Sequence, residues 1–182
     1  MKNFPSFAIL LALGVSLAFA LTAEAEEKPA ESAWGPSVEG FRLSLRSSQA
    51  QYAPGDKIEV QLVLQNVDSK KRVVARSRPL RVHEFQIIGP DGKLVLLTTQ
   101  GMAILRATRY SSFSLMDLEP KEEHSASLEL SDIYDLTNRG EYRVLASRQV
   151  WTRDDDKKFA TLASNTLVIK VAEKDAKKDK KK

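Results

Sequence analysis

Alternation of apolar and polar residues at every second position is the feature that most constrains how this chain can fold. The clearest run places apolar side chains at Ile58, Val60, Leu62 and Leu64, with polar residues between them. The same period returns in residues 41–46, 81–88, 125–131, 140–151 and 166–171. Successive side chains of a strand point to opposite faces of a sheet, so each run has one buried face and one wet face. The pattern therefore predicts an all-β domain built mainly from antiparallel strands.

Turn signals separate these runs. Pro54-Gly55 and Gly89-Pro90-Asp91-Gly92 are typical of tight turns, because proline fixes φ and glycine takes positive φ. Glu119-Pro120 precedes the strand that begins near Ser125. Seven to nine strands with turns between them predict an immunoglobulin-like antiparallel β-sandwich, with a closed barrel as the alternative that the pattern leaves open.

Two segments break the alternation. Residues 67–79 are crowded with lysine and arginine, and mutual repulsion is expected to keep them in water as a loop between two strands. Residues 99–118 hold a poorly periodic apolar cluster around Met102 and Leu105, followed by an edge strand leading to Phe113 and Leu115. No long amphipathic helix is expected anywhere in the chain.

The alternating positions predict which side chains share one core between the two sheets. They are Ile58, Val60, Leu62, Phe85, Ile87, Leu128, Leu130, Tyr142, Val144, Leu167 and Ile169. Tyr142 follows Gly140 at the start of a long strand, the arrangement of the tyrosine corner in sandwich folds. Its hydroxyl is therefore expected to bond backbone a few residues upstream, which is a structural role.

The two ends of the chain differ from the domain between them. Residues 1–25 have a basic start, an apolar run and a small-x-small site ending at Ala25, which predicts a signal peptide cleaved after Ala25. The apolar run of residues 7–21 is shorter than the roughly 20 residues that span a bilayer. We expect export to the periplasm or the extracellular space, a flexible leader at 26–33, the β-sandwich at 34–172, and a disordered lysine-rich tail at 173–182.

Composition limits the chemistry. The chain has no cysteine, so neither disulfides nor thiolate metal sites are available, and stability must come from apolar burial. The net charge is +4, but the tail holds six lysines against three acidic residues, a surplus of three, so the folded body is nearly neutral. No apolar run after residue 25 is long enough to cross a membrane, and a soluble monomer is expected.

The turn and core landmarks resemble bacterial secreted immunoglobulin-like domains. The landmarks are Tyr52-x-Pro54-Gly55-Asp56-x-Ile58, Leu64-x-Asn66-Val67, Phe85-x-Ile87 with Pro90-Asp91-Gly92-Lys93, Leu118-x-Pro120-x-Glu122, Gly140-x-Tyr142-x-Val144 and Ser164-Asn165-x-Leu167. They look most similar to the bacterial intracellular proteinase inhibitor (BsuPI-like) family and to cell-adhesion-related (CARDB-like) modules. The resemblance implies a non-enzymatic β-sandwich module. A proteinase inhibitor-like domain is the alternative function that it suggests.

Residues that could carry catalysis or bind a metal are few. Only His83 and His124 are available for histidine-based chemistry, and the hydrolase nucleophile elbow and the glycine-rich phosphate loops are absent. The carboxylate cluster Asp154-Asp155-Asp156 lacks the alternating spacing of calcium loops and is flanked by cations. The sequence therefore predicts no catalytic site, no metal site and no cofactor.

The basic run provides the best candidate binding residues, which are Lys70, Lys71, Arg72, Arg76, Arg78 and Arg81. The lysine-rich tail is either a solubilising terminus or a tether to an anionic envelope polymer. Six cations could meet an anionic cell-envelope polymer or an acidic protein face. No aromatic residue lies among them to stack on bases, so nucleic acid is not the expected partner. A solvated loop without a partner is the alternative. The resulting hypothesis is a non-enzymatic interaction module that acts through its loops and sheet surface.

Overall fold

Two sheets face each other across an apolar core in the computed structural model, which describes residues 33–151 and 159–172. The described residues form ten strands and two α-helices, one strand more than the upper end of the sequence prediction. The elements in chain order are β1 (Phe41–Ser47), β2 (Gln51–Tyr52), β3 (Glu59–Asn66), β4 (Arg72–Arg76), α1 (Pro79–Val82), β5 (His83–Ile88), α2 (Thr99–Arg109), β6 (Ser114–Leu118), β7 (Glu123–Glu129), β8 (Gly140–Trp151), β9 (Phe159–Ala163) and β10 (Leu167–Val171). The predicted signal peptide, most of the leader, the Asp154-Asp155-Asp156 cluster and the lysine-rich tail lie outside the described residues.

The first sheet is antiparallel and has the order β1-β3-β7. Leu43 pairs with Leu64, and Leu62 pairs with Ala126, so the apolar positions of the three strands lie on the same face. A short 3₁₀ turn, Leu130–Asp132, follows β7 and begins the crossing to the second sheet.

The second sheet is organised around β8, whose twelve residues pair with β5 along one edge and with two strands along the other. β10 pairs with the first part of β8, β9 pairs with the second part, and β10 also pairs with β2 in parallel. The strand that returns from β8 is therefore split. At the junction, the Asn165 side chain accepts a hydrogen bond from Leu45 N at 2.8 Å and donates one to Leu45 O at 3.1 Å, which joins the second sheet to β1.

The basic segment is not the solvated loop that the sequence predicts. Arg72–Arg76 forms β4, which pairs antiparallel with β6, and Pro79–Val82 forms the single turn of α1. Apolar Val74 supplies the reason, since its side chain is buried in the core and only 2% exposed. The expected edge strand near Leu115 is confirmed as β6.

The helix α2 was not expected. Its N-cap is Thr98, whose hydroxyl accepts a hydrogen bond from Gly101 N at 2.9 Å. The two buried residues of α2 are Gly101 and Thr108. They lie seven residues apart and therefore on the same face of the helix, but neither has a strongly apolar side chain. Gly101 sits against the backbone of Ile133, since a Cβ there would come within 2.1 Å of the Ile133 carbonyl oxygen.

The core contains the residues that alternation predicts. Of the predicted set, Phe85, Leu128 and Leu167 are partly buried against the core and the others are fully buried. The Tyr142 hydroxyl donates to Asn138 O at 2.8 Å, four residues upstream, so the predicted tyrosine corner is confirmed.

Candidate functional site

Two segments that lie far apart in the chain contain no acidic residue. Residues 69–83 hold six lysines and arginines, and residues 99–116 hold Arg106 and Arg109, without any aspartate or glutamate. Glu84 and Asp117 mark the ends of the two acid-free segments. Alternation of charge sign is the usual condition of a protein surface, so two such segments side by side would make a strongly positive patch.

The fold brings these segments together. β4 pairs with β6 so that Arg76 lies opposite Ser114, and α1 packs against α2. The Ser77 hydroxyl donates to Ser112 O at 2.9 Å. We call the surface made by 69–83 and 99–116 the basic face.

Three of the six predicted binding residues are already engaged within the protein. Arg72 reaches Asp68 at 3.4 Å and lies 5.1 Å over the Phe41 ring, and its side chain is only 11% exposed. Lys71 forms an exposed ion pair with Asp117 at 2.9 Å. Arg72 is therefore a structural residue, and it cannot be replaced without disturbing the domain, contrary to the expectation for a solvated loop.

Arg81 is also held in place. Its Nη1 donates to Arg109 O at 2.6 Å, and its guanidinium lies 5.4 Å from the centre of the Phe113 ring. This contact joins α1 to the C-terminal end of α2, where the helix dipole favours cations.

The other three predicted residues are free to meet a ligand. Lys70, Arg76 and Arg78 are exposed, and none of them forms an ion pair with a residue that the structure describes. The sequence prediction of a cationic surface is thus narrowed to these three side chains, with Arg106 and Arg109 added by the fold.

Two exposed aromatic side chains lie on the basic face, although they are far in sequence from the basic run. Tyr110 is 87% exposed and Phe113 is 55% exposed, and both follow α2 directly. Neither lies within the basic run, so linear inspection of that run did not associate them with it. The basic face therefore offers flat apolar rings beside its cations, which is the combination that binds sugar rings or other planar groups by stacking.

A second basic group lies inside the domain, behind this face. Arg148 of β8 is paired in register with His83 of β5, and the two side chains are only 4% and 6% exposed. The His83 Nδ1–H donates to Pro79 O at 3.1 Å, which leaves Nε2 to accept from Arg148 Nη1 at 3.5 Å. Arg148 Nη2 donates to Ala75 O. His83 is therefore held as the neutral tautomer that accepts from an arginine.

The environment of this pair suppresses protonation. Burial, together with the charge of Arg148 and a contribution from His124, lowers the pKa of His83 from 6.5 to about 3. Burial also lowers the pKa of Arg148 to about 10. The pKa of His124 is lowered by burial and by the charges of Arg148 and Arg76. His83 has neither the protonated form nor the carboxylate partner of a catalytic acid–base pair at neutral pH.

A groove of about 670 Å³ opens between the two helices and the edge of the second sheet. Its lining includes Arg81, Arg109, His83 and Arg148, with Glu84 as the only carboxylate. Desolvation raises the pKa of Tyr134, which also lines the groove, so its hydroxyl stays protonated. The groove thus joins the basic face to the buried Arg148.

Arg148 was not among the residues predicted from the sequence, although its place in the alternating pattern of β8 is unusual for a charged residue. Tyr142, Val144, Ala146 and Val150 are all buried on one face of β8, and Arg148 falls in the same period-two register. A charged residue at a buried position of an otherwise regular strand is the pattern that could have identified it.

Other classes of site are not evident in the described ranges. No three histidine, aspartate or glutamate side chains come together there as a metal-binding group. None of the helices in those ranges is long and apolar enough to span a membrane.

Comparison with known proteins gives structural likeness at low identity. No family model and no curated protein sequence matches the chain. The C-terminal domain of Wzt has a TM-score of 0.45 and 11% identity, over 78% of this chain and 77% of that one. The CARDB domain of the PF1109 protein from Pyrococcus furiosus, in complex with di-metal ions, has a TM-score of 0.37 and 14% identity, over 80% and 99%.

A β-glucosidase from Erythrobacter marinus, EmGH1, has a TM-score of 0.34 and 13% identity, over 72% of this chain and 15% of that one. A CARDB domain is thus among the solved structures that the chain resembles, whereas the BsuPI-like resemblance stays a prediction. At these identities and TM-scores the comparisons assign neither a family nor an activity to the chain.

Proposed function

We propose that this protein is an exported, non-enzymatic binding module whose basic face holds an anionic polymer of the cell envelope. One observation carries the proposal: two acid-free segments, 69–83 and 99–116, are folded against each other into a single surface. Of the eight cations in these segments, Lys71 and Arg72 are paired with Asp117 and Asp68, and the remaining six make a surface that attracts polyanions over a distance set by ionic strength.

The geometry favours a flexible acidic polysaccharide over a compact acidic protein. Lys70 precedes the five-residue strand β4 by two positions and Arg76 ends it, so the two residues are separated by at most about 20 Å at the usual strand rise. Cations spread along an edge suit a chain that passes over them, and exposed Tyr110 and Phe113 can stack on sugar rings. The predicted signal peptide directs the protein to the compartment where such polymers occur.

The surroundings of the two histidines and of the basic-face cations support a non-enzymatic role. The histidines are buried or half-buried beside arginines, and neither hydrogen-bonds to a serine, an aspartate or a glutamate of the described chain. The cations of the basic face bind and position, but none of them is placed next to a nucleophile or a general base.

Retention on an immobilised uronate polymer tests the proposal. Wild-type protein should bind alginate but not neutral dextran, and the affinity should fall steeply with added salt because bound counterions are released. The face variant, with Lys70→Ser, Arg76→Ser and Arg78→Ser, should lower the slope of log affinity against log salt by about 2, since each neutralised charge contributes roughly 0.7–0.9. Arg72 is left intact in this variant because of its ion pair with Asp68.

A matched control removes three cations elsewhere. Lys57, Lys93 and Arg143 are exposed and each is paired with a carboxylate, so a triple serine variant loses the same formal charge outside the basic face. This control should reduce the salt slope far less than the face variant does. A third variant that ends at Ala172 tests the lysine tail separately. Loss of binding only in that truncation would overturn the proposal, since the β-sandwich would then be a passive scaffold.

Competition separates a polymer from a protein partner. Free alginate should displace the protein from its natural partner in envelope extracts at concentrations that saturate the basic face. Retention of an acidic protein that alginate does not displace would contradict the polysaccharide assignment.

A further inference from the structure

The position of Arg148 is unusual for a purely structural arginine. It lies on the inner face of β8, where Val144, Ala146 and Val150 supply apolar side chains to the core. A charged group taken out of water is costly unless a counter-charge and a full set of hydrogen bonds compensate it. Arg148 should therefore have a carboxylate partner if its role were packing alone.

The partners of Arg148 are neutral. Its Nη1 meets His83 Nε2, its Nη2 donates to Ala75 O, and its Nε has no hydrogen-bond partner within the described chain. No ion pair joins Arg148 to any acidic residue of that part of the protein. The guanidinium is thus buried with unused hydrogen-bonding capacity and uncompensated charge.

The positive charges that act on this end of the core are those of Arg148 and Arg76, and the neighbouring histidines are neutral. His83 faces Arg148 from β5, His124 interacts with it from β7, and Arg76 acts on His124 from β4. Glu122 is the acidic group that acts on His124 in the opposite direction. The electrostatic field at this end of the core is consequently positive, and an anion placed there would relieve it.

Arg148 is also within reach of a ligand. It lines the groove between the helices and β5 together with Arg81 and Arg109. The volume of about 670 Å³ lies within the range of roughly 300–1,000 Å³ that is usual for small-molecule sites.

We propose that this groove binds the acid group of a single sugar unit, a carboxylate or a phosphate, with Arg148 as the deep anchor and Arg109 at the rim. This inference rests on the proposed function and adds the ligand subsite to it. The basic face supplies long-range attraction for the polymer, whereas the groove selects the acid group. Arg148 offers a planar fork of donors that matches two oxygens of an oxyanion.

Titration of the full chain with small sugars tests this subsite. The probes are glucuronate, glucose phosphate and neutral glucose. Binding of each probe is monitored through the NMR shifts of the backbone amides of β5 and β8. Glucuronate or glucose phosphate should shift these amides at saturable concentrations, and glucose should not. The acidic sugar that binds with the higher affinity identifies whether a carboxylate or a phosphate is the natural group.

Variants assign the contact. Arg148→Gln replaces the guanidinium with a shorter, neutral polar side chain and should weaken binding of the acidic sugar about tenfold or more, because a charge-assisted hydrogen bond is lost. Arg109→Gln, at an exposed position, should weaken it about 2- to 5-fold. Arg143→Gln lies on the same strand but outside the groove, and it should leave the affinity unchanged.

The outcomes separate this inference from the proposed function. If Arg148→Gln folds and binds glucuronate as well as the wild type, the subsite is refuted even where alginate retention persists. If Arg148→Gln does not fold, an unchanged affinity in Arg109→Gln refutes it instead. Specific binding of the acidic sugar without any alginate retention would support the subsite and refute the polymer.

Discussion

Acid should destabilise this domain through His83 before most carboxylates titrate. His83 is 6% exposed, and its pKa falls from 6.5 to about 3 because burial and the adjacent Arg148 oppose protonation. The His83 ring is therefore protonated below pH 6.5 in the unfolded chain, whereas in the folded state it stays neutral down to about pH 3. The stability contributed by the neutral ring is fully present above pH 6.5 and is lost progressively as pH falls towards 3.

The size of the effect follows from this difference in proton binding. Between pH 7 and pH 5 the free energy of unfolding should drop by about 2 kcal/mol from His83 alone. The lowered pKa of half-buried His124 acts with the same sign. Over the whole interval down to pH 3 the loss would be on the order of 5 kcal/mol, at about 1.4 kcal/mol per pH unit.

Urea unfolding measures this difference when the wild type and His83→Asn are compared at several pH values between 5 and 7.5. This range begins about one unit above the reference pKa values of Asp and Glu, so few carboxylates titrate within it. The asparagine amide can still donate to Pro79 O, so the variant keeps the hydrogen bond of Nδ1 while removing the titrating group. The wild type should lose about 2 kcal/mol more than the variant between pH 7 and pH 5. Parallel pH profiles for the two proteins would refute the burial of a neutral His83 beside Arg148.

Three further substitutions test the packing of the domain. Leu62→Ala should cost roughly 2–5 kcal/mol in urea unfolding because a cavity replaces a fully buried side chain; a loss below half a kcal/mol would place Leu62 on the wrong face. Tyr142→Phe should cost about 1 kcal/mol by removing the hydroxyl that donates to Asn138 O, and an unchanged midpoint would deny the corner any role in stability. Gly101→Ala should destabilise the domain in thermal unfolding, although alanine favours helices by about 1 kcal/mol, because its Cβ would meet the Ile133 carbonyl; increased stability would contradict this close approach.

Alternation predicted the parts of the fold where burial follows a simple period. β1, β3 and β8 carry their apolar side chains at every second position, and the structure buries those positions. Tyr142 was predictable for the same reason, since its corner depends on local residues. In these elements one face touches the core and the other meets water, so sequence and burial agree.

The helix α2 and the strand β4 of the basic face escaped prediction for a different reason. In α2 the buried face is made by Gly101 and Thr108, and a glycine that permits close packing carries no hydrophobic signal. In β4 the cations on either side of Val74 concealed a strand whose pairing partner, β6, lies about forty residues further along the chain.

The candidate site was predictable only in part. The sequence located Lys70, Arg76 and Arg78, but it could not separate them from Arg72, whose partner Asp68 and contact with Phe41 appear only on folding. The contributions of Arg109 and Phe113 depend on the meeting of α1 with α2. Non-local pairing of this kind has no signature in a single segment.

Mapping of amide shifts during titration with a uronate oligomer tests the central claim most directly. The claim is that residues 69–83 and 99–116 act as one anion-binding face. Saturating shifts should therefore appear together around Arg76, Arg78, Arg106 and Phe113, and they should disappear as salt is raised. Shifts confined to residues 173–182, or scattered over both sheets without saturation, would contradict it.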